Sequence, residues 1–156
     1  MKIPFRFRDF KGIKKTGRGY TKRELSAAFV MRELFDKHGI KSVLNVGYRQ
    51  YDNIRTRWWI DICRANNIDW HILEIFEPNV TNFKEHAPSA DRHRIMQGDI
   101  KNIGTILPQK YDVIIHWHGP EHLLKDDYIE LLPAIESCAH KMVLLGSPNG
   151  IEEQGI

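Results

Sequence analysis

Five short apolar runs, separated by longer stretches of helical periodicity, constrain what this 156-residue chain can fold into. The runs are residues 42–47 (SVLNVG), 70–75 (WHILEI), about 92–97, 111–117 (YDVIIHW) and 142–145 (MVLL). At this length an apolar run reads as a buried strand, since helices need more residues. Before the first run, Thr21-Lys22-Arg23-Glu24 forms a capping-box pattern. Leu25, Ala28, Met31 and Phe35 follow it at helical spacing, and Gly39 is placed to end that helix. Ile54, Trp58, Ile62 and Ala65 mark a second helix, whose core face includes Trp58 and leaves Trp59 half exposed. A third helix opens at Pro78 and carries Val80, Phe83 and Ala87 on one side. A short helix must end by Pro108, and residues 125–139 form another, kinked or restarted at Pro133. Strands alternating with helices pair in parallel through right-handed crossovers. The expectation is therefore an α/β fold with a doubly wound, mostly parallel sheet.

Sheets of this kind bind ligands beyond the carboxyl ends of their strands, near the point where strand order reverses. The residues at those ends are Asn45-Val46-Gly47, Glu74, Asp99, His116 to His118 and Ser147. A carboxylate such as Glu74 can accept hydrogen bonds from both hydroxyls of a ribose, or it can pair with a nearby Lys or Arg. Asp99 can accept from an adenine amino group while Ile100 covers the ring. It can equally cap the short helix that follows, and the two uses are compatible.

The net charge of +3 hides an asymmetry. Residues 1–23 carry nine Lys or Arg against the single acid Asp9, so the remainder is net acidic, with 14 basic and 19 acidic residues. We therefore separate a basic arm, residues 1–20, from a domain over residues 21–156. Such an arm can hold nucleic acid, or it can be a solvated segment docked on its own acidic body. No apolar run approaches the roughly 20 residues that span a bilayer, which argues against a membrane partner. The amino-terminal residues lack the apolar stretch of a secretory signal. Cys63 and Cys138 are far apart, without metal-ligand spacing, and fall in apolar-periodic segments where buried free thiols are expected. A cytoplasmic, reducing location fits.

The motifs VLNVGYRQ, ILEIFEPNV, MQGDI, YDVIIHWHGPEHL and MVLLGSPNG resemble, in order and spacing, those of class I S-adenosylmethionine-dependent methyltransferases. The resemblance covers nearly all of the chain from about Lys41 onward. It implies a Rossmann-like fold with S-adenosylmethionine lying over Gly47, Glu74 on the ribose, and Asp99 with Ile100 at the adenine. His116 would lie beside the methionine part. The activity implied is methyl transfer, most simply to a small-molecule acceptor. Two departures stand out. Where the family has an acid and a glycine-rich loop, this chain has Asn45 and only Gly47 before Tyr48-Arg49-Gln50. Asn45 can still hydrogen-bond the cofactor's amino group, and Arg49 can pair with its carboxylate. The family core also continues past the fifth strand, whereas this chain stops at Ile156 soon after residues 147–150. The last strands are thus expected to be lacking, which leaves a sheet edge where two copies can associate.

His116-Trp117-His118-Gly119-Pro120-Glu121-His122 carries three imidazoles and a carboxylate within seven residues. Its H-x-H-x-x-E-H spacing is similar to the H-x-H-x-D-H of metallo-β-lactamase-like hydrolases, with one residue too many, and no distant His or Asp set completes a metal site. Under the methyltransferase resemblance, Glu121-His122-Leu123 matches the E-H-L that follows the fourth strand. His118 or His122 would then serve as general base, because imidazole titrates near neutrality.

Overall fold

The chain enters its first two strands through the same turn. A computed structural model, which describes residues 22–51, 54–117 and 119–146, has helix α1 (Lys22–His38) running into strand β1 (Ser42–Val46). Helix α2 (Ile54–Ala65) runs likewise into strand β2 (Asp69–Glu74). Each helix ends on a residue with positive φ, Gly39 at 56° and Asn67 at 54°, the residue types that tolerate this conformation best. The next amide, of Ile40 or Ile68, reaches back to the carbonyl of Phe35 or Cys63 at 3.0 and 2.9 Å. Both isoleucines are buried, so one turn satisfies the helix's free carbonyls and starts the core. The basic arm 1–20, Thr21 of the capping pattern, His118 and residues 147–156 lie outside the described residues.

The remaining elements are α3 (Glu77–His86), β3 (Ile95–Gln97), α4 (Ile103–Ile106), β4 (Tyr111–Trp117), α5 (Lys125–Ser137) and β5 (Ala139–Gly146). Pro78 sits in the first turn of α3, where its missing N–H costs nothing. Among the described residues the sheet has five strands in the order β3-β2-β1-β4-β5, all parallel. Strand order reverses between β1 and β4, and the site lies at that switch point.

Alternating side chains build a core on each face. Val43, Ile72, Val113 and Ile115 point toward α1, α2 and α3, meeting Met31, Phe35, Ile60 and Phe83. Leu44, Val46, Leu73 and Ile114 point the other way, onto Ile103, Leu131 and Ile135. Each such buried side chain contributes roughly 1.5–3 kcal/mol. Among the described residues no helix is long and apolar enough to cross a membrane.

Four local expectations need correction. Strand β3 starts at Ile95, since residues 89–94 form a 3-10 helix that holds Arg94 2.6 Å from Asp69 and 2.9 Å from the Trp70 carbonyl. Strand β5 begins earlier than expected, where Ala139 pairs with Tyr111. Pro133 neither ends nor restarts α5. Its missing N–H affects the Ile129 carbonyl, and both residues lie on the exposed face where water can replace the bond. The tryptophans are reversed: Trp59 is buried and Trp58 half-buried. Helix α2 packs on the sheet and against α1, so Trp59, Ile60, Ile62 and Cys63 are all enclosed. Trp59 meets Trp70 edge-on, with centroids 5.8 Å apart. Cys63 and Cys138 are free and buried as expected, and burial pushes the Cys63 thiol pKa up.

Candidate functional site

The carboxyl ends of the strands open into a cavity of about 970 Å³, at the top of the roughly 300–1,000 Å³ range of small-molecule sites. Asn45, Gly47, Tyr48, Arg49, Glu74, Asp99, Ile100, His116 and His122 all line it. The fold therefore brings together every expected site residue that it describes; His118 lies outside the described residues.

At the end of β1, the buried Asn45 donates its side-chain N–H to the Gly47 carbonyl at 2.5 Å. Gly47 has φ of 82° and donates its amide to the Leu73 carbonyl at 2.9 Å. Nothing lies within 4 Å of where a Cβ would stand, so the backbone conformation, rather than crowding, demands glycine here. The ring of Tyr48 turns into the core, edge-on to Phe83 at 5.7 Å, which leaves its backbone as the part facing Glu74. Arg49 is exposed on the cavity wall.

Glu74 is 5% exposed. One carboxylate oxygen accepts from the Tyr48 amide, the other from the Phe76 amide at 2.7 Å. Two backbone donors orient the group, and each oxygen retains acceptor capacity for a further hydrogen bond. Asp99 does cap the turn after it, accepting from the Lys101 amide at 2.9 Å, while the neighbouring Ile100 is buried at the cavity wall.

His116 ends β4 almost fully buried, with Nδ1 3.1 Å from the Tyr128 hydroxyl. Burial pushes its pKa down to about 4, with Glu121 acting against the shift and His122 reinforcing it. Burial also raises the pKa of Tyr128. A Cβ on Gly119 would fall 1.8 Å from His116 Nε2, so the glycine lies directly over the ring. With one ring nitrogen at Tyr128 and the other under Gly119, His116 is neutral and poorly placed as a metal ligand. Among the described residues no three His, Cys, Asp or Glu side chains converge into a metal site. His122 sits in the Pro120–His122 turn, exposed on the cavity wall.

Sequence reasoning missed the other half of this wall. Val30, Met31, Leu34, Trp58, Leu144 and Leu145 line it. Its signal was the run Phe29-Val30-Met31, which gives α1 more apolar residues than one buried stripe requires. Tyr128 and Gly119, which fix His116, carry no local sequence signal.

The parallel order β3-β2-β1-β4-β5 with this cavity at its switch point is the fold of class I S-adenosylmethionine-dependent methyltransferases. Solved structures of three such enzymes superpose on the chain. Magnesium protoporphyrin IX methyltransferase from Synechocystis PCC 6803, with bound S-adenosylmethionine, gives a TM-score of 0.58 at 16% identity, covering 79% of this chain and 57% of that one. Mitomycin 7-O-methyltransferase gives 0.58 at 18% identity, covering 85% and 38%. A glycopeptide N-methyltransferase complexed with sinefungin gives 0.54 at 17% identity, covering 76% and 48%. The chain thus spans less than two thirds of the length of these neighbours. No protein-family model and no curated protein sequence matches it.

Proposed function

We propose that this chain transfers a methyl group from S-adenosylmethionine to a small-molecule acceptor. The observation that carries the reading is Glu74: a buried carboxylate at the end of β2, aimed by two backbone amides and lining the cavity. Its remaining acceptor capacity suits a pair of vicinal ribose hydroxyls. Asp99 has one carboxylate oxygen engaged by the Lys101 amide, and the other serves an adenine amino group with Ile100 beneath the ring. Asn45 and Arg49 hold the amino and carboxylate groups of the methionine end. Gly47 lets the backbone come close to it, and Tyr48 helps by fixing Glu74. The cofactor supplies a methyl group on a positively charged sulfur, so the protein's main task is to hold donor and acceptor in line.

Proton removal, where the acceptor needs it, falls to His122 or His118. His116 is a weak base because its pKa lies near 4. Its part is to support the Gly119 loop that carries the other two histidines. The test is calorimetric titration with S-adenosylhomocysteine. Glu74→Ala should weaken binding on the order of 100-fold, since charge-assisted hydrogen bonds are lost. Unchanged affinity would remove the ribose assignment, and no binding by the unaltered chain would remove the cofactor.

A further inference from the structure

We propose that the half of the cavity over β4 and β5 takes a neutral, ring-bearing apolar small molecule, and that this molecule is the methyl acceptor. The acceptor assignment rests on the cofactor reading above; the apolar site does not.

Register places Leu73, Val46, His116 and Leu145 in one row across the sheet. Position along that row therefore separates the cavity's two linings. Asn45, Glu74 and Asp99 belong to the ends of β1, β2 and β3. Leu144 and Leu145 belong to β5, whose Lys141 bonds the His38 and Gly39 carbonyls at the end of α1. Val30, Met31 and Leu34 of α1, and Trp58 of α2, which packs against α1, line the cavity too. Adjacent strands lie roughly 4.8 Å apart, so Glu74 on β2 and Leu145 on β5 are separated by about 14 Å. Along this direction the cavity lining passes from Glu74, Asp99 and Asn45 to the leucines of β5, and His116, Gly119 and His122 stand where the two linings meet.

Single exposed apolar residues are ordinary on a protein surface. Here, however, Val30 is 60% exposed, Trp117 47% and Leu145 44%, from three different elements that face one cavity. Among the described lining residues the charged ones, Arg49, Glu74 and Asp99, all lie in the cofactor half. A phosphate, carboxylate or ammonium in the other half would lose its water without gaining a partner. A neutral molecule loses little, and Trp58 and Trp117 offer flat surfaces to a ring. The cavity's volume admits a second small molecule beside the cofactor. In the transfer, the acceptor atom gives its lone pair to the methyl carbon. The carbon–sulfur pair returns to sulfur, and the acceptor's proton passes to His122 or water.

The probe is N-phenyl-1-naphthylamine, a neutral aromatic dye that brightens in apolar surroundings, titrated with and without saturating S-adenosylhomocysteine. The dye should bind in both cases, with affinities within about two-fold. Val30→Glu and Trp58→Ala should each weaken it about tenfold or more, since a charge or a void replaces apolar wall. Their affinity for S-adenosylhomocysteine, measured by calorimetry, should stay within about two-fold. Val30 is exposed, so its variant tests the wall without disturbing the core. Displacement of the dye by S-adenosylhomocysteine, or unchanged dye affinity in both variants, overturns the proposal. S-adenosylhomocysteine binding without dye binding overturns the apolar site and its acceptor assignment, and leaves the cofactor reading standing. Dye binding without S-adenosylhomocysteine binding overturns the cofactor reading, and the acceptor assignment with it.

Discussion

At the amino ends of the strands, Asp69 lies 2.6 Å from Arg94, and Asp91 sits between Arg64 at 2.5 Å and Arg94 at 3.1 Å. Asp112 accepts from the Lys41 amide at 2.6 Å and has the Lys141 ammonium 3.6 Å away. At the carboxyl ends, Glu74 and Asp99 instead meet backbone amides, those of Tyr48, Phe76 and Lys101. A carboxylate closed against guanidinium has its charge and much of its hydrogen bonding used up internally. One aimed by amides keeps its charge and part of its acceptor capacity for something that arrives. The first arrangement locks strands and helices together; the second prepares a site. The Trp70 ring belongs to the locked end, with the Arg64 and Arg94 guanidinium carbons 5.5 and 5.0 Å from its centre.

The strongest way to break this contrast is to remove Arg94. Arg94→Ala leaves Asp69 without its close cation and Asp91 with only one, and should cost about 3 kcal/mol of unfolding free energy in urea. Affinity for S-adenosylhomocysteine should stay within about two-fold; a large loss would mean the two ends are not separate. Acid should distinguish them next. Burial works to raise the Asp69 pKa, but Arg94, helped by His71, prevails and holds it below 3.8. Its stabilising part is therefore complete above that value and lost as pH falls toward the folded pKa. His116 acts in the same sense but in a higher pH window. Its folded pKa of about 4 lies below the ordinary 6.5, so between those values the unfolded chain binds more protons. Stability should fall by about 3 kcal/mol as pH drops through that window. His71, whose pKa burial also lowers, contributes in the same direction. The urea midpoint of His116→Gln should thus keep only the His71 part of the slope, and an unchanged slope would contradict the buried neutral imidazole. The smallest effect belongs to Asp99: replacing it with Ala should cost about 1 kcal/mol through the lost cap, and with Asn only a few tenths. Equal losses in thermal unfolding would mean that the carboxylate is held by its charge.

Much of the locked end was legible because it follows from pattern. Strand β4 falls on Tyr111–Trp117 as read, since a run buried on both faces is almost continuously apolar. Gly39 ends its helix as expected, while Asn67 does the same work without having been noticed. What failed depends on neighbours distant in sequence. Residues 92–94 looked like strand until Asp69 drew Arg94 into an ion pair. Trp58 and Trp59 could not be ordered without knowing that α1 lies beside α2. At the open end, the carboxylates and histidines were legible by type and position. The partners that orient them, Tyr128 on His116 and the Phe76 amide on Glu74, appear only in three dimensions.

The chain has four tryptophans, and this division of the molecule sorts them. Trp59 and Trp70 are buried and packed edge-on to each other, Trp59 also reaching the cavity wall, whereas Trp58 and Trp117 are more exposed and line the cavity. Their intrinsic fluorescence is therefore two optical reporters in one unlabelled molecule. The buried pair emits at shorter wavelength and shifts to the red when the core opens. Trp58 and Trp117 respond instead when a ligand displaces the water around their rings. Folding and occupancy can then be followed as separate colours of one sample.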